Sequence, residues 1–180
     1  MRVMLNKHIG VKNSLSVKEL ILFSSLGAIM SISQIVLQGV PNVELVSLFT
    51  IIFALVYEKK SLYIVATFIL VMGIFYGVGP WWLGYAIIWP ILATITILIR
   101  NWIKENYLIL SIYSAIFGLA FGGLYAIPYI FISDVTFAIA YWIRGLPYDF
   151  IHMVGNYFIM LFLGKHIYDL LIKLNKQYFK

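Results

Sequence analysis

Long apolar runs, broken only by short polar or glycine-rich stretches, recur from one end of this chain to the other, and that pattern constrains the fold more than any motif does. Of 180 residues, 63% are hydrophobic, 17% aromatic and only 11% charged, far from the composition of a soluble domain. In lipid every backbone donor and acceptor needs a partner within the protein, so apolar runs of this length are expected to form helices. The expected fold class is all-α: an integral membrane bundle of six transmembrane helices with both termini cytoplasmic. With no cysteine, disulfides and thiolate metal sites are excluded. The net charge of +6 is spread over segment ends and not gathered into a patch, so it points to membrane topology and not to nucleic acid.

Residues 1–17 read as a cytoplasmic leader made basic by Arg2, Lys7 and Lys12, followed by a single membrane domain over 18–176. The first apolar run, about 19 to 40, exceeds a signal-peptide core, and no small-x-small cleavage site follows it. Asn42 is the expected N-cap of helix 2, with Glu44 in its first turn, and Glu58-Lys59-Lys60 its end. Helix 3 is expected over 61–76, then a turn at 77–82 carrying Trp81 and Trp82, then helix 4 over 83–99 despite Pro90. A polar loop at 100–106, helix 5 over 107–129 and an irregular connection over 131–145 complete the middle. Helix 6 is expected to start at Pro147, which loses no hydrogen bond in a first turn, and to run to about 164 with a basic amphipathic extension. Helices 2 to 4 are shorter than the ~20 residues that cross a ~30 Å core, so buried loops or a cavity must complete the crossing.

The bias of Lys and Arg sets the orientation. With the N-terminus inside, Arg2, Lys7, Lys12, Lys18, Lys59, Lys60, Arg100, Lys104, Lys165, Lys173, Lys176 and Lys180 are cytoplasmic, and Arg144 stands alone outside beside Asp134 as an expected surface ion pair. Most unusual polar residues then fall in the outer half. On helix 6, Asp149, His152 and Asn156 recur at i, i+3 and i+7 and share one face. Polar groups in a membrane helix are costly and point to a functional site; the plainer alternative has Asp149 capping the helix and His152 and Asn156 tying helices together. On helix 1, Gly27, Ser31, Gln34 and Gln38 make a polar stripe, while Ser24 and Ala28 form a small-xxx-small pair suited to close helix approach.

The outer aromatic residues, Trp81, Tyr85, Trp89, Tyr125, Tyr141 and Trp142 among them, offer stacking surfaces beside the hydrogen-bonding groups of Gln38, Glu44, Asp149, His152 and Asn156. That mixture suits a small, flat, polar organic molecule. Signatures of hydrolases and metalloproteases are missing, as is a phosphate-binding Gly-rich loop, so the chain does not itself use ATP. No metal or other cofactor is expected. Two other classes compete with a binding subunit: an intramembrane enzyme acting on a lipid or prenyl group through His152, and a structural or assembly subunit.

Three segments carry a family resemblance: Pro41-Asn42-Val43-Glu44-Leu45-Val46-Ser47-Leu48, the stretch from Gly118 through Gly122-Gly123-Leu124-Tyr125-Ala126-Ile127-Pro128, and Tyr141-Trp142-Ile143-Arg144-Gly145-Leu146-Pro147-Tyr148-Asp149-Phe150-Ile151-His152 with Asn156. The chain resembles, over nearly its whole length, the substrate-binding membrane subunits (S components) of energy-coupling factor transporters. The resemblance implies a multi-pass protein of the bacterial plasma membrane, in contact with lipid, that captures a vitamin or related micronutrient from outside. It further implies partners, a transmembrane coupling protein and two cytoplasmic ATPases, and no enzymatic activity of its own. The family's Ala-xxx-Ala docking motif on helix 1 aligns with Ser24 and Ala28. Its ligand pocket corresponds here to Asp149, His152 and Asn156 as hydrogen-bonding groups, Trp81, Tyr85 and Trp142 as stacking walls, and Glu44 and Gln38 at the top. Pyridoxine-like, pyrimidine, pantothenate, riboflavin, queuosine-type and cobalamin ligands all remain open.

Overall fold

A computed structural model describes residues 15–104 and 106–178. Most of the expected leader, with Arg2, Lys7 and Lys12, lies outside the described residues, as do Glu105 and Lys180. Among the described residues there are six α-helices and no strand: α1 (Val17–Leu37), α2 (Val46–Tyr57), α3 (Ser61–Tyr76), α4 (Pro80–Ile103), α5 (Tyr107–Ile132) and α6 (Val135–Tyr178), with a single tight turn of 3-10 helix, Glu58–Lys60, between α2 and α3. Four stretches are long and apolar enough to cross a membrane: Val17–Leu37, Val46–Tyr76 with α2 and α3 taken together, Pro80–Ile103 and Tyr107–Ile132. By composition this is a membrane protein.

Side-chain pairings give each helix its direction. Glu19 at the start of α1 pairs with Lys60 just ahead of α3, and Tyr76 at the end of α3 donates to Gln38 just past α1, so these two helices run in parallel. Glu58 after α2 pairs with Arg100 near the end of α4, which sets α2 and α4 side by side in the same sense. Thr96 meets Tyr113 at 3.0 Å and Gly84 abuts the Tyr125 ring, so α5 runs against α4. The α5–α6 pair is antiparallel, with Gly122 against Asp149 and Ser114 against Asn156. Tyr178 donates to the carbonyl of Lys18 at 3.4 Å, bringing the last helix back to the first. Six helices therefore alternate in direction, with the beginning of α1 and the end of α6 at one end, here the terminal end, and the 38–44 turn at the other.

The core is built around α2, which packs against all five other α-helices. Val46, Ile51, Ile52, Ala54 and the hydroxyls of Ser47 and Thr50 are fully buried, an all-round burial that explains why so short a helix carries no polar face. Phe23 and Met30 of α1, Ile64 and Phe68 of α3, and Ile88, Trp89 and Leu92 of α4 close over it. Gly27 lets α1 approach α3, since a Cβ there would stand 2.6 Å from Thr67.

Several boundaries differ from expectation. Ser16 and Glu19 form a reciprocal capping box that starts α1, which ends at Leu37 and not near residue 40. Asn42 does not cap α2. It takes a left-handed conformation at φ 57° and spends its side-chain amide on the carbonyl of Tyr148 at 2.8 Å. Leu45 holds the N-cap position without a side-chain bond, and Glu44 just before it does the capping, its two carboxylate oxygens sharing the N–H of Ser47 at 3.1 and 2.9 Å. Helix α4 begins at Pro80, so Trp81 and Trp82 lie on its first turn and not in a loop; it also continues to Ile103 into the expected polar loop.

The largest correction concerns 131–145. That stretch is helix, not an irregular connection: Asp134 caps α6 by accepting the N–H of Phe137 at 2.8 Å, and the helix runs unbroken for 44 residues to Tyr178 with Pro147 inside it. A proline there removes only one hydrogen bond, to the carbonyl of residue 143, and membrane helices tolerate that loss. Continuous helix also corrects the Asp134–Arg144 pair, because ten residues of helix separate the two by about 15 Å. Among the described residues Arg144 makes no ion pair.

Candidate ligand-binding site

The polar face of α6 turns inward, with Asp149, His152 and Asn156 each only 2% exposed. Two glycines of α5 make room for it. A Cβ on Gly118 would stand 2.8 Å from the His152 backbone, and one on Gly122 would stand 2.3 Å from a carboxylate oxygen of Asp149. This close approach lets the Gly122 N–H donate to Asp149 Oδ1 at 3.0 Å, leaving Oδ2 without a partner.

One turn on, His152 Nε2 donates to Glu44 Oε1 at 3.0 Å. Glu44 thus joins two elements: its carboxylate caps α2 through Ser47 and fixes the imidazole of α6. The other ring nitrogen of His152, Nδ1, is buried and has no partner. Phe121 of α5 lies edge-on to the imidazole at 4.8 Å. Asn156 donates from Nδ2 to Ser47 Oγ at 3.1 Å and to the Ser114 carbonyl at 3.4 Å, knitting α6 to α2 and α5.

Above this layer open two adjoining clefts that share Asn42, Tyr85 and Phe121. The first, about 580 Å³, draws Gln34 from α1, Gln38, Asn42 and Glu44 from the 38–44 turn, and Met72 and Tyr76 from α3. Trp81, Tyr85 and Trp89 of α4, with Phe121 and His152, complete it. Its aromatic wall is held by edge-to-face contacts, Trp81 to Tyr85 at 5.4 Å and Tyr85 to Trp89 at 5.6 Å. The second, about 660 Å³, lies between the outer parts of α5 and α6 and carries Asp149, Arg144, Tyr125, Tyr141 and Tyr148. Both volumes fall in the range of small-molecule sites. Gln34 Oε1 and Trp89 Nε1 join His152 Nδ1 as buried polar atoms without partners on residues lining the first cleft. Each such group costs roughly 1–3 kcal/mol until it is paired.

The structure brings Gln38, Glu44, Trp81, Tyr85 and His152 together around the first cleft and puts Asp149 with Tyr85 on the second. Two expected ligand contacts stand apart. Asn156 lies deeper, bonded between helices and lining neither cleft. Trp142 is 42% exposed on the outer face of α6, its indole against Gly123, and lines neither cleft as well. Trp89, expected as one of the outer aromatic surfaces, lines the first cleft, and Tyr76, Met72 and Phe121 are lining residues that the sequence pattern did not single out. Their apolar character is indistinguishable from core, although Trp89 sits four residues after Tyr85 and eight after Trp81 on one helix face. Ser24 is exposed and Ala28 half-buried on the flank of α1, away from both clefts. Among the described residues no group of His, Asp and Glu is arranged to hold a metal ion. No family model, curated protein or solved structure matches this chain.

Proposed function

We propose that this chain is the substrate-binding membrane subunit of an energy-coupling factor transporter, and that its clefts capture a vitamin or related micronutrient from outside the cell. The observation that carries this reading is the set of unpartnered buried polar atoms of Gln34, Trp89 and His152 around one aromatic-walled cleft. A structural subunit gains nothing from leaving such groups unpaired, whereas a ligand that pairs them recovers their cost on binding. In this reading all six helices span the bacterial plasma membrane, α2 and α3 as separate short spans. The terminal end, with Lys18, Lys59, Lys60, Arg100 and Lys104, lies in the cytoplasm. A transmembrane coupling protein docks on the Ser24–Ala28 flank of α1, and two cytoplasmic ATPases supply the energy the chain lacks.

Thermal unfolding of the detergent-purified chain against a vitamin panel, with mass spectrometry of anything released from it, tests the capture step. One compound that both co-purifies and raises Tm is the expected result. A chain that carries nothing and is stabilised by nothing in the panel defeats it in favour of an assembly role. Because the chain has no cysteine, single-cysteine variants report its orientation. Gly39→Cys should react with an impermeant maleimide on intact cells, and Lys59→Cys only after lysis. A second reading, an intramembrane enzyme, draws on the Glu44–His152 pair at 3.0 Å. It requires a product that accumulates with wild type and is lost in His152→Gln.

A further inference from the structure

The second cleft is lined by one acidic and one basic side chain that the fold leaves without an ion-pair partner among the described residues. Asp149 is buried, one oxygen held by the Gly122 N–H and the other without a partner, and no Lys or Arg pairs with it among the described residues. A lone carboxylate at such depth costs several kcal/mol of solvation unless something neutralises it. Arg144, also on this cleft, is the only Lys or Arg on the walls of either cleft and makes no ion pair among the described residues. It is likewise the one cation at the end opposite the other Lys and Arg, an exception to a bias that otherwise holds throughout the described chain. The two sit five residues apart on α6, about 7.5 Å along its axis. They open onto the same space rather than onto each other. The same cleft is lined by the rings of Tyr85, Phe121, Tyr125 and Tyr141, the last two stacked at 6.2 Å.

Building on the capture reading, we infer that the ligand is a small aromatic or heteroaromatic zwitterion, with a protonated nitrogen at Asp149, an acid group at Arg144 and its ring against the tyrosines. Asp149 supplies a compact negative charge with a free lone pair. The Arg144 fork matches a carboxylate or a phosphate, and a purely cationic or purely anionic ligand leaves one of the two charges unanswered. Gly122 has a role here: its bare Cα is what allows Asp149 to stand at the cleft wall.

The test is thermal unfolding of the full-length chain in detergent with two matched sets of probes. One set is phenylalanine, phenethylamine and hydrocinnamate. The other is phosphotyramine, tyramine and phenyl phosphate, and the two together separate a carboxylate from a phosphate as the acid group. The zwitterion of at least one set should raise Tm more than either of its singly charged relatives. Asp149→Asn, which keeps the acceptor for Gly122, should remove the advantage over the acid. Arg144→Gln, on an exposed position, should remove the advantage over the amine, each weakening affinity by about tenfold or more. The inference is overturned if a singly charged probe stabilises as well as the zwitterion, or if the preference survives both substitutions. It is also overturned if a compound released from the purified chain lacks either a basic nitrogen or an acid group, a result that leaves capture itself intact. If no probe and no carried compound binds, capture fails and this inference fails with it.

Discussion

The two ends of the helix bundle handle their polar groups in opposite ways. At the terminal end charges are exposed or half-exposed and answered locally: Glu19 by Lys60, Glu58 by Arg100, and Asp169 by Lys165 one turn away at 2.6 Å. Such pairs are solvated, screened and worth little individually. At the cleft end Glu44, Asp149 and His152 are buried, and Gln34, Trp89, Asp149 and His152 keep an atom with no partner. The terminal end is not free of such atoms, since Arg100 Nε and Asn175 Oδ1 also lack partners, but neither belongs to a residue of the two larger clefts. Stability and recognition are thus separated along the bundle axis. One end is held mainly by pairs within the chain, and the other is the end whose unpaired groups the proposed ligand would complete.

That contrast can be broken most severely where α6 meets α5. Gly118→Leu forces a side chain into the His152 backbone and should cost about 3 kcal/mol or abolish the folded monomer. Size-exclusion profile and thermal unfolding read this out, and a normal Tm would mean that the α5–α6 contact is looser than described. Next in size is Glu44→Ala, which removes both the cap of α2 and the partner of His152. A loss of about 2–3 kcal/mol in thermal unfolding is expected, with Glu44→Gln recovering much of it because its amide oxygen still accepts from Ser47.

Asn156→Ala sharpens the division between holding helices and holding ligand. It should lower stability by about 1–2 kcal/mol through the lost bonds to Ser47 and Ser114, while leaving the affinity for any ligand that stabilises wild type unchanged. A large affinity loss there would move Asn156 into the site. The smallest effect belongs to the terminal end: Lys60→Gln should shift stability by about 0.5 kcal/mol and ligand affinity not at all.

Sequence alone made the helical class, the helix count and most boundaries legible, because apolar runs, N-caps and turn glycines are local signals. Where it misled, a local signal competed with a global one. Gly145 and Pro147 resembled a break, yet Asp134 already marked the start of a helix that α5 supports along its length. Asn42 looked like the cap of α2, yet the demand from the Tyr148 carbonyl, 106 residues away, claimed its side chain. The same limit applies to the site. The polar face of Asp149, His152 and Asn156 follows from helical periodicity, but which of the three touches a cleft does not. The pairing of His152 with Glu44 spans 108 residues and is set by how α2 enters the bundle. Phe121 and Met72 carried no sign of a site at all, since a side chain lining a cleft and one filling a core obey the same pattern.

The central claim, that the cleft end is completed by a small molecule, is tested most directly by native mass spectrometry of the purified chain beside Gln34→Trp, a variant that fills the first cleft from α1. Wild type should carry one small adduct per chain, and the filled variant should have lost it while staying folded, with the Tm of wild type stripped of the adduct. A wild-type chain without any adduct, or an adduct retained both when the first cleft is filled and when Asp149→Asn alters the second, would contradict the claim.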